Sequence, residues 1–266
     1  MTLSAHAAAF RRLHEDGLLI LANAWDAASA RLIESLGASA IATTSAGVAW
    51  SHGYADGDLL PVSHLLATVT DIARVIRIPL TVDCEGGYSH DPKAVADTVA
   101  AVASAGGVGI NIEDGSSPPD LLCAKIAEIK RVLGDRVFVN ARTDVYLRSL
   151  APQEARVAET LARAERYRSA GADGLFVPGV VDREEIRAIA AKAGLPLNVL
   201  VRTGLPRAAE LMALGVRRLS AGSDVAEASL GRVRSLAAAF LKNGASEPLS
   251  EGAIPYPDVQ ALLGER

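Results

Sequence analysis

The chain has 266 residues, half of them hydrophobic, and a formal net charge of −4 at pH 7. This length allows one large domain or two small ones, with enough apolar residues for a sizeable core. The acidic balance argues against a nucleic-acid partner, which would require clustered Lys and Arg. No apolar run reaches the length that crosses a membrane, and the N-terminus has no signal-peptide pattern.

The two cysteines, Cys84 and Cys123, stand outside any Cys-x-x-Cys or Cys/His spacing. A zinc site and a disulfide framework are therefore not expected. We expect a cytoplasmic protein without a membrane or nucleic-acid partner.

Strand-like and helical patterns alternate along the chain. The apolar runs that predict strands are 18–22, 40–43, 80–83, 108–113, 137–141, 174–177, 197–200 and 218–220. The amphipathic, Ala-rich patterns that predict helices are 27–36, 62–76, 92–105, 120–133, 152–170, 183–193 and 208–214. Several of these end at a glycine, as helices often do, and Asp26 is suited to cap the first helix.

This alternation predicts a parallel sheet, and eight units of this size predict a (β/α)₈ TIM barrel. A doubly wound open sheet is the alternative. It would bring the G-x-G-x-x-G turn of dinucleotide binders after the first strand, but Asn23-Ala24-Trp25-Asp26 follows instead. We assign residues 1–243 to the barrel and residues 244–266 to a C-terminal connector and helix, with the helix over 256–263.

Polar residues collect after the predicted strands, at the end where barrel active sites lie. They are Asn23, Trp25 and Asp26; Thr43 to Gly47; Asp83 and Glu85; Glu113 and Asp114; Arg142 to Asp144; and Asn198 with Arg202. The opposite ends of the strands carry mostly turn residues. This asymmetry predicts an enzyme.

Three of these residues, Asp83, Glu85 and Glu113, supply carboxylates from two neighbouring strands. Asp83 and Glu85 are two residues apart, so on a continuing strand both point to the same side. Converging carboxylates repel unless a cation or shared proton lies between them, and hard oxygen ligands suit Mg²⁺ or Mn²⁺. The alternative is a strand-to-loop junction with solvated acids.

The substrate side of the predicted site is built from small residues and an arginine. Ser45, Ala46 and Gly47 are predicted to form a turn whose backbone N–H groups face an oxyanion. Arg142 is suited to a bidentate grip on a substrate carboxylate, and Asn198 is a further candidate contact. Together with a metal, these groups predict a site for a small 2-oxo acid.

Three of these assignments have structural alternatives. Arg142 can instead neutralise Glu113 or Asp144, as buried ion pairs do. Ser45 can cap the following segment, and Trp25 can pack in the core.

Four ordered blocks resemble the isocitrate lyase and phosphoenolpyruvate mutase superfamily. They are residues 23–30 (Asn-Ala-Trp-Asp-Ala-Ala-Ser-Ala); residues 44–49 with 53–56; residues 82–88; and residues 111–114 with 140–144. The resemblance implies a Mg²⁺-dependent enzyme that makes or breaks a C–C or P–C bond beside a 2-oxo acid. It also implies tetramers in which the last helix packs on a neighbour's barrel, so we expect a homo-oligomer, either tetramer or dimer, with a C-terminal helix swapped between subunits.

The resemblance also implies roles by position. The metal-sphere acids match Asp83, Glu85 and Glu113, and a further acid near the metal matches Asp56. The backbone amides that hold the substrate match Ser45 and Gly47, the arginine that supports the oxo acid matches Arg142, and the aromatic residue lining the pocket matches Trp25.

Two departures from the family pattern are visible. Glu85 stands where the family usually has Asp. The Lys-[Lys/Arg]-Cys-Gly-His loop of the lyases is missing, because Glu113-Asp114 is followed by Gly115-Ser116-Ser117-Pro118-Pro119. Cleavage of isocitrate or methylisocitrate is therefore not expected.

The sequence thus predicts a lyase-type enzyme acting on an oxaloacetate-like 2-oxo acid, by C–C cleavage or decarboxylation through a metal-stabilised enolate. Its predicted catalytic residues are Arg142, Ser45 and Asp56. The alternatives are a phosphonomutase or phosphonopyruvate-type C–P hydrolase and, from another class, a non-catalytic 2-oxo acid binding protein.

Overall fold

The computed structural model describes residues 2–264 as a single parallel sheet surrounded by helices. The strands are β1 (Leu19–Leu21), β2 (Asn23–Ala24), β3 (Ile41–Thr43), β4 (Leu80–Asp83), β5 (Gly109–Glu113), β6 (Phe138–Arg142), β7 (Gly174–Val177), β8 (Leu197–Leu200) and β9 (Arg218–Ser220). The helices are α1 (Leu3–Arg12), α2 (Ala27–Ser35), α3 (Ser45–Ser51), α4 (Val62–Val75), α5 (Pro92–Ser104), α6 (Pro119–Leu133), α7 (Arg156–Ala170), α8 (Arg183–Lys192), α9 (Ala208–Ala213), α10 (Asp224–Asn243), α11 (Glu247–Ser250) and α12 (Tyr256–Gly264). Short 3₁₀ helices lie at Gly134–Arg136 and Gln153–Ala155.

The first strand of the barrel is split, which accounts for nine strands where eight were predicted. Its first half, β1, pairs with β9, and its second half, β2, pairs with β3. The remaining strands pair in chain order from β3 to β9. Residues 19–24 therefore pair with β9 through their first half and with β3 through their second half. This pairing links the two ends of the sheet, and the predicted TIM-type barrel is confirmed.

Most strand residues are buried on both faces, as expected for a parallel sheet covered by helices, whereas Ile20 of β1 is 55% exposed. Every residue of β4 and β7 is buried. Outside the barrel, the apolar stripes of the helices complete the core, with Ile72 of α4, Val99 of α5 and Ile126 of α6 fully buried. This packing holds the strand ends, and hence the loops that follow them, in fixed positions.

Helix α1, which the sequence analysis did not predict, closes the N-terminal end of the barrel. Phe10 is fully buried there and meets Phe138 edge-on at 5.5 Å between ring centroids. A Cβ at Gly109 would lie 2.6 Å from the Phe10 ring, so only glycine leaves room for this plug. His14, just after α1, stacks on Phe138 at 4.2 Å.

Three further helices differ from the prediction, one of them the short α11 between α10 and the predicted terminal helix. Residues 44–47, predicted as a turn, lead into α3, because Thr44 is its N-cap and Ser45 its first helical residue. The long helix α10 was missed since its apolar residues do not form a core-facing stripe, and only Ala226 of this helix is buried. The predicted cap is confirmed, because Asp26 forms a capping box with Ser29 at the start of α2.

The C-terminal segment folds back on its own barrel. Helix α10 ends at Gly244 in a left-handed conformation, and α12 packs on α2, where Arg31 Nε donates to Leu262 O at 3.1 Å. Residue 1 and residues 265–266, which the predicted domain boundaries include, lie outside the described residues. Within 2–264, no helix combines the length and apolar character needed to cross a bilayer.

Candidate active site

Three predicted site residues meet at the C-terminal ends of adjacent strands. Asp83 ends β4, Glu113 ends β5 and Arg142 ends β6. Glu113 and Arg142 are register partners, and Arg142 Nη1 lies 2.5 Å from Glu113 Oε2. The barrel geometry therefore brings two of the predicted metal acids and the predicted arginine to one edge.

Arg142 is held by carboxylates on both sides. Its Nε and Nη2 donate to Asp144 at 2.7 and 3.1 Å, in addition to the Glu113 contact. The predicted alternative, that Arg142 neutralises Glu113 and Asp144, is therefore observed. A guanidinium has five N–H donors, so Arg142 still has N–H groups available to bind a substrate. Burial alone would lower the pKa of Arg142, but Glu113 and Asp144 outweigh it and raise the pKa above its ordinary value.

Asp83 and Glu113 are both costly to ionise where they lie. Burial raises the pKa of Asp83, against the opposing charge of Arg142 and a 3.0 Å hydrogen bond from Asn111 Nδ2. Burial likewise raises the pKa of Glu113 to about 8, again opposed by Arg142. The positive charge of Arg142 is therefore too small to stabilise both Asp83 and Glu113 in the ionised form.

Glu85 does not continue the strand. Strand β4 ends at Asp83, and Glu85 adopts a left-handed conformation with φ of 49°. The prediction that both carboxylates point to the same side of a continuing strand is therefore wrong. Glu85 Oε2 instead accepts the backbone N–H groups of Gly57, at 2.8 Å, and Asp58, while Oε1 accepts the hydroxyl of Tyr88 at 3.1 Å.

The predicted three-acid set does not assemble as a cluster. Within residues 2–264, no group of three or more His, Cys, Asp or Glu side chains is arranged to hold a metal ion. Asp83 and Glu113 nevertheless fit a divalent cation, because both are hard oxygen donors whose pKa burial raises. Mg²⁺ commonly uses one or two carboxylates and completes its coordination with water and substrate. The metal-ligand assignment stays a prediction.

The predicted oxyanion residues form the first turn of α3. The Thr44 side chain makes no cap hydrogen bond, and the first N–H groups of a helix have no intrahelical acceptor. The N–H groups of Ser45, Ala46 and Gly47 are therefore positioned to bind an acceptor. A Cβ at Gly47 would lie 2.9 Å from Trp25 Cβ, so half-buried Trp25 packs directly against this turn.

The last two predicted residues occupy different surroundings. Asp56 is exposed in the loop of residues 53–59, and its charge adds to burial in raising the pKa of both Asp83 and Glu85. Asn198 lies inside the barrel, where it accepts the hydroxyl of Ser220 at 3.2 Å. Among residues 2–264, its Nδ2 has no partner.

Several residues of the site were given no site role from the sequence, although Asp144 was named there as a possible partner of Arg142. A signal in the sequence could have pointed to Asp144 and Asn111 as site residues, because each is two residues from an assigned residue on its own strand or strand end. No such signal pointed to Asp58 and Lys125, because the residues to which they hydrogen-bond are distant in sequence. A cavity of about 360 Å³ opens beside Glu113 and the segment after β4, lined in part by Asp58, Tyr88, Glu113, Ser116, Lys125 and Arg148. It is large enough for a small organic acid.

Comparison with known proteins gives relatives along most of the chain. The sequence profile named phosphoenolpyruvate phosphomutase matches residues 10–241. The uncharacterized protein Rv1998c of Mycobacterium tuberculosis H37Rv is 40% identical over 260 residues, which cover 96% of this chain and 95% of that protein. The oxaloacetate decarboxylase of Pseudomonas fluorescens SBW25 is 34% identical over 176 residues, covering 63% of this chain and 60% of that enzyme.

Solved structures give the same result. A Burkholderia cenocepacia J2315 protein assigned as a lyase/mutase superposes with a TM-score of 0.89 at 34% identity, covering 99% of this chain and 97% of that chain. A phosphonopyruvate hydrolase solved with oxalate and Mg²⁺ superposes with a TM-score of 0.86 at 24% identity, covering 99% and 95%, which supports the fold alone. The chain therefore belongs to the phosphoenolpyruvate phosphomutase family, within the isocitrate lyase/PEP mutase superfamily.

Proposed function

We propose that the protein is a Mg²⁺-dependent carbon–carbon lyase that acts on a small 2-oxo acid of the oxaloacetate type. The observation that carries this proposal is the arrangement of Asp83, Glu113 and Arg142, in which buried carboxyls of raised pKa lie beside one guanidinium. The relative named oxaloacetate decarboxylase supports the substrate class. Without the lyase cysteine loop, decarboxylation or aldol cleavage is the chemistry that remains.

Asp83 and Glu113 are the residues that would hold Mg²⁺, or Mn²⁺ in its place, with Asp56 as a further acid nearby. Bound there, the cation would supply positive charge where the substrate oxygen becomes anionic. Glu85, the third predicted ligand, has its carboxylate engaged by loop amides and Tyr88.

The other residues bind and orient the acid in this proposal. Arg142 grips the substrate carboxylate and stays cationic, because Glu113 and Asp144 raise its pKa. The N–H groups of Ser45, Ala46 and Gly47 donate to oxygen atoms that gain charge as the bond breaks. Trp25 forms the apolar wall that excludes water, and Asn198 Nδ2 offers a donor from inside the barrel.

A substrate panel tests this proposal. The full chain is incubated with Mg²⁺ and oxaloacetate, phosphonopyruvate, phosphoenolpyruvate or methylisocitrate, and released pyruvate and phosphate are measured. We expect pyruvate from oxaloacetate, lost in EDTA and in Asp83→Asn, with the circular dichroism spectrum unchanged. Turnover that persists in EDTA would exclude the metal role.

Two outcomes of the panel would favour the alternatives. Phosphate released from phosphonopyruvate, without turnover of oxaloacetate, would identify a C–P hydrolase, and interconversion of phosphonopyruvate and phosphoenolpyruvate would identify a mutase. Silence across the panel, with calorimetric binding of a 2-oxo acid, would identify a non-catalytic binding protein.

We also propose that the chain forms a homo-oligomer, dimer or tetramer. Helix α10 exposes large apolar side chains, with Val233 60% and Leu241 84% exposed, and a second copy would remove them from water. Light scattering should give a mass at least twice the 27.6 kDa of the chain, and Leu241→Asp should lower it. A monomeric mass for the unaltered chain would refute the proposal.

A further inference from the structure

The loop of residues 53–59 lies over the rim with little packing to hold it. All seven of its residues are exposed, whereas Leu60 directly after it is buried. The loop carries Asp56, and the charge of Asp56 acts on both Asp83 and Glu85. Specific contacts, more than burial, must therefore fix the position of this acid.

Those contacts form a reciprocal clasp between the loop and the segment after β4. Glu85 Oε2 accepts the N–H groups of Gly57 and Asp58. In return, Asp58 Oδ1 accepts the N–H groups of Gly86 and Tyr88, each at 3.1 Å. Each acid thus binds the backbone of the segment that carries the other acid, so the loop is held from both sides.

Two more side chains complete the clasp. The Tyr88 hydroxyl donates to Glu85 Oε1 at 3.1 Å, and Lys125 Nζ donates to Gly86 O at 2.6 Å. Glu85 therefore accepts three hydrogen bonds, whereas an ionised carboxylate offers about four lone-pair sites. Little of this carboxylate is left for a cation.

The clasp also concentrates backbone strain. Asp58, Glu85 and Tyr88 have φ of 59°, 49° and 59°, and within residues 2–264 only one other non-glycine residue, Ser149, has positive φ. Such conformations persist where surrounding contacts over-determine them, often at functional sites. A Cβ on Gly86 would lie 2.6 Å from Asp58 Oδ2, so this contact requires glycine.

We propose that Glu85 is a positioning residue, which together with Asp58 fixes loop 53–59 on the rim and thereby places Asp56, and that it is not a direct metal ligand. This explains why Glu stands where the family usually has Asp, because the extra methylene lets the carboxylate reach the loop amides. The predicted effect on turnover rests on the proposed function, whereas the effect on the loop does not.

The variant Glu85→Asp separates the two roles. A direct ligand role predicts a clearly lower Mn²⁺ affinity, because shortening the side chain by one methylene withdraws its carboxylate from the cation. The clasp predicts faster hydrogen exchange confined to residues 53–59, an unchanged melting temperature, and Mn²⁺ affinity within about twofold of the unaltered chain by electron paramagnetic resonance. It also predicts a roughly tenfold lower kcat/KM, a small fraction of the loss expected from removing a group that acts directly on the reaction.

A second variant shows whether the loop is loosened by loss of the clasp or only by a local change at residue 85. Asp58→Ala removes the opposite half of the clasp and should loosen the same loop with the same Mn²⁺ affinity. Asp71→Asn, at an exposed position of α4, should change neither quantity. Unchanged loop exchange in both clasp variants, or Mn²⁺ affinity lowered tenfold or more in Glu85→Asp, would overturn the proposal.

The outcome also separates this inference from the proposed function. Faster loop exchange in a chain that turns over none of the panel substrates would support the clasp and refute the lyase. A chain that binds no Mn²⁺ would refute the metal role, and loop exchange alone would then decide whether Glu85 holds the loop.

Discussion

The two ends of the barrel use charge in opposite ways. At the closed base, Asp173 is shared by two cations, since it accepts from Arg11 Nη1 at 2.6 Å and from Lys130 Nζ at 3.1 Å. At the open rim, Arg142 is shared by two acids, Glu113 and Asp144. Asp135 also lies 3.6 Å from Arg11 Nη2 and 3.7 Å from Lys130 Nζ. The base therefore sets two cations against two acids, whereas the rim has more carboxylate than its guanidinium can neutralise.

This difference separates stability from function. Paired charges and the apolar plug at the base stabilise the folded barrel. The raised pKa of Asp83 and Glu113 shows that the rim holds its acids at a cost in free energy, which a bound cation would relieve. Sites that bind or catalyse are commonly the less stable parts of a protein.

The largest expected effect tests the base. Phe10→Ala should lower the free energy of unfolding by about 3–5 kcal/mol, because it empties a fully buried aromatic site. Urea denaturation measures this loss, and kcat at temperatures below unfolding should be unchanged. Leu36→Ala is the control, since Leu36 is 79% exposed and its loss should cost less than about 0.5 kcal/mol. A fall in kcat without a loss of stability would contradict the separation.

The next largest effect tests the role of Arg142 in turnover at the rim. Arg142→Lys keeps the positive charge but loses the fork that holds Asp144 and Glu113. We expect kcat/KM for the active oxo acid to fall about 100-fold, the size of loss seen when an oriented donor is removed. Arg183→Lys, in an exposed pair with Glu210, should leave turnover unchanged. Equal turnover in both variants would show that Arg142 serves only the fold.

The smallest effect, taken per pH unit, concerns pH at the base. Burial, then the charge of Arg218, lowers the pKa of His14 from 6.5 to about 3. Between these values the unfolded chain binds the proton and the folded chain does not, so the stability present above pH 6.5 is lost as pH falls toward 3. The loss is up to about 1.4 kcal/mol per pH unit.

The variant His14→Phe isolates this contribution. It keeps a ring to stack on Phe138 but has no proton to bind, so its stability should fall less steeply across the same window. Urea denaturation of both proteins at each pH measures the difference. Parallel curves would show that other groups dominate the acid dependence, and that His14 is not the titrating residue at the base.

Local sequence patterns were enough to predict the barrel and much of the rim. Strand and helix signals are local, so eight of the helices, including the terminal α12, and all eight barrel strands could be predicted from neighbouring residues. The cap at Asp26 was likewise local. The positions of Asp83, Glu113 and Arg142 at one edge followed from the rule that parallel strands end together.

Only the tertiary structure decided how these groups are used. The base plug depends on Phe10 meeting Phe138, and the clasp depends on Asp58 meeting the segment around Glu85, across gaps in sequence that no local pattern spans. Strand alternation gave the wrong direction for Glu85, because hydrogen bonds to a distant loop hold its backbone in a left-handed turn. Periodicity fixes which residues reach the rim, whereas contacts between distant segments fix where their side chains point.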